Sequence, residues 1–206
     1  MTAIIDYGVG NLFSLRSSFE HIGENVTVTS DVSEIENADR LVLPGVGAFE
    51  DAMEKLRESK MDVVLKRQAE KGKPILGICL GMQLLFEKSF EYGEHEGLGL
   101  LKGKVVPISD VSPSSYKIPH IGWNVLKFVK DSKLFKYIND GDFVYFVHSY
   151  YVSDCGESVI ANTEYGADLT AAVHNKNVMG CQFHPEKSGE VGLAILRAFC
   201  ETEGTK

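Results

Sequence analysis

The sequence predicts an α/β protein with an open, twisted and mostly parallel sheet flanked by helices, followed by a strand-rich second half. In the first half, short β-branched runs alternate with amphipathic stretches, a pattern typical of parallel sheets covered by helices. From residue 103 to about residue 183 the pattern changes to aromatic and β-branched runs separated by Gly, Asn and Asp turns. An amphipathic stretch then returns near the end of the chain and predicts a last helix that packs against the sheet.

The predicted elements follow from apolar periodicity and from cap and turn residues. Residues 3–7 form the first predicted strand, and Asn11 is a plausible N-cap for a helix that Gly23 ends. The remaining predicted elements are strands at 26–28, Arg40–Leu43 and 73–78, helical patterns at 48–71 and 80–88, and a final helix at 188–200.

Bulk properties predict a single domain over residues 1–206 and limit the function classes. Hydrophobic residues make up 44% of the 206 residues and charged residues 24%, as in an ordinary globular protein. The formal net charge is -8, and Lys and Arg are scattered, which argues against nucleic-acid and membrane partners. The first residues do not resemble a signal, and four separated cysteines without a CxxC pair suggest reduced thiols. We therefore expect a cytoplasmic protein.

The segment 77–81 has the form Gly-x-Cys-x-Gly between a predicted strand and a predicted helix, which is the layout of a nucleophile elbow. Its glycines allow the close backbone approach that a sharp turn needs. Cys79 would also lie at a helix N-terminus, whose partial positive charge favours a thiolate. The alternative is that Cys79 is a small buried core residue, the commoner role of a free cysteine.

A cysteine nucleophile needs a base from elsewhere in the fold, and the segment 182–186 offers His184. Pro185 favours an extended conformation at His184, which would put the Glu186 side chain on the same side of the chain. A carboxylate there can fix the imidazole tautomer and stabilise the imidazolium. The alternative is a solvated turn that leads into the final helix.

A second glycine turn, residues 44–49, follows the strand Arg40–Leu43 and would lie on the same carboxyl edge of the sheet as Cys79. Its backbone N–H groups, with that of Leu80, could bind the oxyanion of a tetrahedral intermediate. Taken alone, this segment is equally consistent with an ordinary strand-to-helix turn.

These segments, together with residues 6–11 and 119–124, resemble the class I glutamine amidotransferases, and among them the glutaminase subunits of imidazole glycerol phosphate synthases. The resemblance covers nearly the whole chain and implies a flavodoxin-like fold. It also implies hydrolysis of glutamine through a cysteine thioester. The ammonia would pass to a (β/α)8-barrel cyclase that forms imidazole glycerol phosphate and AICAR in histidine biosynthesis.

The resemblance implies roles for particular residues. Cys79, His184 and Glu186 would be the catalytic triad. Gly47 and Leu80 would supply the oxyanion-hole N–H groups, and Gln83 would bind glutamine. Four residues would face the cyclase: Asn11, Trp123, Tyr145 and Lys187. Of these, Tyr145 and Lys187 would lie near the ammonia passage. Because the chain ends soon after its last predicted helix, we expect the cyclase to be a separate subunit of a heterodimer.

Other signals in the sequence are weak. Gly8 and Gly10 follow the first strand, but Phe13 stands where a dinucleotide-binding motif has its third glycine. The histidines outside the triad are not spaced as metal ligands, so we predict no metal and no cofactor. Three functional alternatives stay open: a glutaminase that serves another ammonia acceptor, a non-catalytic regulatory module, and a cysteine peptidase or γ-glutamyl hydrolase.

Overall fold

A computed structural model describes residues 1–204 of the chain. Helices cover both faces of a central sheet. In chain order the helices are α1 Leu12–His21, α2 Val32–Asn37, α3 Phe49–Glu58, α4 Met61–Glu70, α5 Leu80–Leu84 and α6 Gly189–Cys200. The strands of the first half are β1 Thr2–Ile5, β2 Val26–Thr29, β3 Arg40–Leu43, β4 Ile75–Ile78, β5 Phe86–Ser89 and β6 His95–Glu96. Those of the second half are β7 Leu101–Pro107, β8 His120–Val125, β9 Lys127–Phe128, β10 Phe143–His148, β11 Tyr150–Ser153, β12 Val159–Glu164, β13 Asp168–Asn175 and β14 Val178–Cys181.

The central sheet has eight strands in the order β2-β1-β3-β4-β14-β13-β12-β9. Neighbours from β2 to β14 pair in parallel, and the three remaining pairings are antiparallel. Strands β8 and β10 form a separate antiparallel ribbon, and β11-β7-β5-β6 form a small third sheet. The predicted fold class, an open and mostly parallel sheet followed by a strand-rich second half, is confirmed.

The parallel strands are apolar on both faces because helices cover both sides of the sheet. Successive residues alternate between two buried clusters: Leu41 and Leu43 pack on one side, and Val42 packs on the other. The second cluster includes Phe19 of α1, which is fully buried. The two layers hold the carboxyl ends of β1, β3 and β4 together along one edge.

The predicted cap of the first helix is present. The Asn11 side chain accepts a hydrogen bond from the Ser14 N–H at 3.4 Å, and α1 starts at the next residue. The sequence pattern did not identify α2, a short helix whose Asp31 cap accepts hydrogen bonds from two N–H groups.

The helical patterns predicted at 48–71 are confirmed as two helices, α3 and α4, which are separated at Lys60, a residue in a left-handed conformation with φ 58°. The next predicted helix is wrong in extent. The helix predicted at 80–88 ends at Leu84, and the chain continues as β5, where Phe86 pairs with Leu101 of β7. This pairing with a later part of the chain outweighs the helical pattern of the local sequence.

Two phenylalanines of α1 provide a matched test of the core. Phe19 is fully buried, whereas Phe13 is 81% exposed. We expect Phe19→Ala to lower the free energy of unfolding by about 3–5 kcal/mol and Phe13→Ala to change it by less than about 0.5 kcal/mol. Urea denaturation followed by circular dichroism measures both, and equal effects would contradict this placement of α1.

Candidate active site

Cys79 lies at the tip of the turn between β4 and α5, and its backbone adopts φ 54° and ψ -115°. Few non-glycine residues tolerate a positive φ, and such residues cluster at functional sites. The Cys79 N–H donates to the Cys181 carbonyl at 2.8 Å, so the turn is anchored to the end of β14. The side chain is 7% exposed and faces a cavity.

The two glycines that flank Cys79 permit this turn through close backbone contacts. A Cβ on Gly81 would lie 1.9 Å from the Leu43 carbonyl oxygen, and a Cβ on Gly77 would lie 2.6 Å from the Gly81 oxygen. No side chain fits at these distances. The spacing of the Gly-x-Cys-x-Gly motif therefore follows from the approach of the turn to the end of β3.

His184 and Glu186 follow β14 and come together over the same edge of the sheet. His184 is extended, with φ -99° and ψ 99°, and Pro185 begins a single 3₁₀ turn. The His184 Nδ1 and Glu186 Oε1 atoms are 2.8 Å apart, and the side chains are only 4% and 3% exposed. The Ser188 hydroxyl donates to the His184 carbonyl at 2.6 Å and accepts from the Tyr145 N–H at 3.0 Å. Glu186 thus orients the imidazole ring, and Ser188 holds the backbone of His184.

The charge of His184 is stabilised by its two partners. Burial disfavours the imidazolium, but hydrogen bonds with Cys79 and Glu186 and attraction to their negative charges outweigh it. Together these effects raise the pKa of His184 from 6.5 to about 10. Because Nδ1 is engaged by Glu186, Nε2 is the ring atom that serves Cys79.

The loop after β3 forms a second wall of the site. Gly47, with φ 95°, and Leu80 line the same cavity as Cys79. The Tyr7 hydroxyl anchors this loop, because it donates a hydrogen bond to the Pro44 carbonyl at 2.7 Å. Burial raises the pKa of this tyrosine, so it stays a donor.

The cavity has a volume of about 620 Å³, enough for a small metabolite. The structure brings six residues of the sequence prediction to its wall: Gly47, Cys79, Leu80, Gln83, His184 and Lys187. The lining residues without a role assigned from the sequence include Glu91, Tyr92, His148, Ser149 and Tyr150. This geometry suits attack by a thiol on a carbonyl-type carbon, with a histidine to move protons.

A family model described as glutamine amidotransferase class-I matches residues 3–202. The chain belongs to this family. Two relatives named imidazole glycerol phosphate synthase subunit HisH align over most of their length. The relative from Caldanaerobacter subterraneus subsp. tengcongensis is 53% identical and covers 98% of each chain. The relative from Aquifex aeolicus is 52% identical and covers 96% of this chain and 95% of its own.

Two solved structures share the fold of this class I amidotransferase at low sequence identity. One described as a glutamine amidotransferase has a TM-score of 0.75 at 18% identity and covers 97% of both chains. The Thermotoga maritima PurLQS structure has a TM-score of 0.74 at 20% identity, over 97% of this chain and 96% of that one. These likenesses support the fold class.

Gln83 lies on α5 and is 5% exposed at the cavity wall. Its amide nitrogen donates to the Tyr150 carbonyl at 3.1 Å and to Gln182 Oε1 at 2.9 Å. Gln182 Nε2 in turn lies 3.8 Å from Cys79 Sγ. Gln182 belongs to the His-Pro-Glu segment, but the sequence alone assigned it no role.

Glu91 and Tyr92 reach the cavity from the loop after β5. The Phe49 N–H donates to Glu91 Oε2 at 2.6 Å, and burial raises the pKa of this carboxyl. Tyr92 has a positive φ of 55° and stacks edge-on against Tyr150 at 6.3 Å. No sequence motif marks these residues, because long-range folding brings them to the site.

Three of the four residues predicted to face a partner are neighbours at the surface. Trp123 is 54% exposed and packs edge-on against Tyr145, with ring centroids 6.2 Å apart. The Lys187 Nζ lies 5.9 Å from the centre of the Tyr145 ring. Asn11 is exposed beside a small cleft that Glu186 also lines.

Within residues 1–204, no group of three or more His, Cys, Asp or Glu side chains is arranged to hold a metal ion. In the same part of the chain, each helix is too short or too polar to cross a membrane.

The elbow predicts a sharp difference between two glycines. Gly81→Ala would push a Cβ into the Leu43 carbonyl, whereas a Cβ at Gly156 meets no atom within 4 Å. We expect Gly81→Ala to destabilise the fold by about 3 kcal/mol or more and Gly156→Ala to have little effect. Thermal unfolding of the two variants tests this, and a stable Gly81→Ala protein would show that the turn relaxes.

The raised pKa of His184 predicts a pH-dependent stability. Since the folded-state pKa of about 10 exceeds the usual 6.5, the contribution is full below pH 6.5 and is lost as pH rises towards 10. The stability difference between the natural protein and Glu186→Gln should therefore shrink over this range. Urea titrations at several pH values measure this stability difference. A difference that grows with pH would contradict the stabilisation of the His184 imidazolium by Glu186.

Proposed function

We propose that this chain hydrolyses glutamine as the ammonia-supplying subunit of an imidazole glycerol phosphate synthase in histidine biosynthesis. The observation that carries the proposal is the alignment, over nearly the full length of both chains, with relatives at 53% and 52% identity that bear this subunit's name. The cavity that contains Cys79, His184 and Gln83 supports the same chemistry.

In the proposed first step, the Cys79 thiolate attacks the carboxamide carbon of glutamine. The carbonyl oxygen gains negative charge, which the N–H groups of Gly47 and Leu80 stabilise. The His184 imidazolium donates its Nε2 proton to the leaving nitrogen, and ammonia departs as a γ-glutamyl thioester forms. Glu186 supports this step because its hydrogen bond to Nδ1 keeps the imidazole oriented.

In the second step, neutral His184 takes a proton from water as the water oxygen attacks the thioester. Collapse of the tetrahedral intermediate expels the Cys79 thiolate and releases glutamate, and His184 is again an imidazolium. The cycle thus returns His184 to the protonated state that its neighbours favour.

Substrate recognition involves polar groups around the thiol. The amide nitrogen of Gln83 is directed to Tyr150 and Gln182, so its oxygen is the atom available to accept from glutamine. The carboxylate of Glu91 offers a partner for the positive charge of a substrate ammonium group.

The partner in this proposal is a (β/α)8-barrel cyclase, bound as a heterodimer across the face that contains Asn11, Trp123, Tyr145 and Lys187. Trp123 is exposed beside Tyr145, which supports a docking role, since aromatic side chains that become buried on binding often anchor interfaces. Lys187 borders both this face and the cavity, which suits a place near the ammonia passage. The cyclase would use the ammonia to form imidazole glycerol phosphate and AICAR.

The proposal includes a cytoplasmic location. The free cysteines of the described chain support it, because disulfides are rare in that compartment.

Glutaminase activity is the first measurement. The purified chain alone should hydrolyse glutamine slowly. Addition of an imidazole glycerol phosphate synthase cyclase with its nucleotide substrate should raise the rate at least tenfold. This increase corresponds to a coupling free energy of about 1.4 kcal/mol or more. Cys79→Ala should abolish turnover, whereas Cys155→Ala, another buried cysteine, should retain it.

The other outcomes separate the alternatives. Equal, Cys79-dependent rates in every mixture would indicate another acceptor or a stand-alone hydrolase. A chain that binds the cyclase without any glutamine turnover would be a regulatory module. Peptide cleavage without a need for glutamine would indicate a peptidase.

A further inference from the structure

Two histidines outside the triad are buried in contact with each other, and one of them lines the cavity. His120 of β8 and His148 of β10 are directly paired across the two-stranded ribbon and are 2% and 6% exposed. His148 lines the cavity together with Cys79 and His184, yet the chemistry above gives it no part. Buried polar side chains of this kind need hydrogen-bond partners, and both histidines have them.

The hydrogen bonds of this histidine pair have only one consistent direction. The Tyr150 carbonyl can only accept, so His148 Nδ1, 2.9 Å away, must donate its proton. In a neutral ring, His148 Nε2 is then an acceptor. His120 Nδ1 lies 3.0 Å from it and must donate in turn. His120 Nε2 is left as an acceptor.

The donor to His120 is fixed independently. Asn124 Nδ2 lies 3.3 Å from His120 Nε2 and 2.8 Å from the Glu164 carbonyl, which can only accept. Asn124 Oδ1 accepts from the Val125 N–H at 2.8 Å, which confirms the orientation of the amide. Donation therefore runs from Asn124 through His120 and His148 to the Tyr150 carbonyl.

Both rings are neutral at physiological pH. Burial lowers the pKa of His120 to about 4 and that of His148 to about 3. The His120 ring is also stacked on Tyr165 and Phe146, with centroids 4.0 and 4.9 Å away. Each ring thus carries its single proton on Nδ1.

The chain of contacts continues to the nucleophile. The Tyr150 carbonyl that His148 engages also accepts from Gln83, whose amide nitrogen contacts Gln182 Oε1. The other end of the Gln182 amide reaches Cys79 Sγ at 3.8 Å. The outer face of the same ribbon presents Trp123 and Tyr145.

We propose that His120 and His148 are positioning residues, a one-directional pair of neutral imidazoles that sets the Tyr150 carbonyl and, through Gln83 and Gln182, the placement of the Cys79 thiol. A shift of the ribbon on docking at Trp123 would reach Cys79 by this route. The inference deepens the proposed function and rests on it where Cys79 is the nucleophile.

Nitrogen-15 NMR of the histidine rings tests the pair directly, without any need for activity. At pH 7 both His120 and His148 should show a protonated Nδ1 and an unprotonated Nε2. The signals are assigned by their loss in single variants of each residue. An Nε2–H tautomer or a doubly protonated ring at either position would overturn the proposal.

Two variants of His120 separate positioning from packing. His120→Asn keeps an N–H donor at the place of Nδ1 but loses the stacked ring, whereas His120→Phe keeps the ring and removes both nitrogens. We expect His120→Phe to lower kcat and the rate of Cys79 alkylation by iodoacetamide about tenfold, as for a lost buried hydrogen bond, and His120→Asn to stay within about threefold.

The relative reactivities of the two variants decide between positioning and packing. Retained reactivity in His120→Phe with loss in His120→Asn would show that stacking alone matters, and equal reactivity in both would also overturn the proposal. Thermal unfolding of each variant accompanies the rates. If the natural protein proves not to turn over glutamine, the proposed function fails, while ring tautomers and alkylation rates still test the histidine pair.

Discussion

The close approach of the Cys79 turn to the end of β3 is the constraint on which the site depends. A Cβ at Gly81 would lie only 1.9 Å from the Leu43 carbonyl, so the turn and the loop after β3 can meet only through a glycine. This contact brings the backbone of Leu80 and that of Gly47 to one cavity. It also accounts for the positive φ of Cys79, since a tight turn between packed layers leaves few other conformations.

The position of β14 in the sheet determines how a distant histidine reaches the thiol. Strand β14 pairs in parallel with β4, with Cys181 opposite Ile78. Both strands therefore end at the same edge of the sheet, and the residues after β14 lie beside Cys79. Pro185 then turns the chain, so that His184 and Glu186 meet at 2.8 Å. Parallel pairing of strands far apart in sequence thus assembles the site.

The ribbon of β8 and β10 has two faces with different chemistry. One face carries the exposed Trp123 beside Tyr145, and the other buries His120 and His148, of which His148 lines the cavity. Because successive residues of a strand point to opposite sides, a single pair of strands connects a surface to the interior of the site. This arrangement connects the face that we propose docks a partner to the contacts around Cys79.

Local patterns in the sequence are enough to predict the fold class and the motifs around Cys79. Alternating apolar runs predicted the parallel sheet, and the glycine spacing predicted the turn at Cys79, because both follow from local backbone geometry. The extent of α5 was wrong, since pairing of β5 with β7 depends on residues distant in the chain.

The identity of the other side chains around Cys79 depends on how distant segments pack together. No sequence pattern links Glu91, Tyr150 and Gln182. They meet because three separate segments converge around Cys79. The histidine pair is the same case: His120 and His148 are not spaced as a motif, but antiparallel register makes them neighbours. Local patterns report what a segment prefers, whereas a site built from several segments depends on how the strands are ordered and paired.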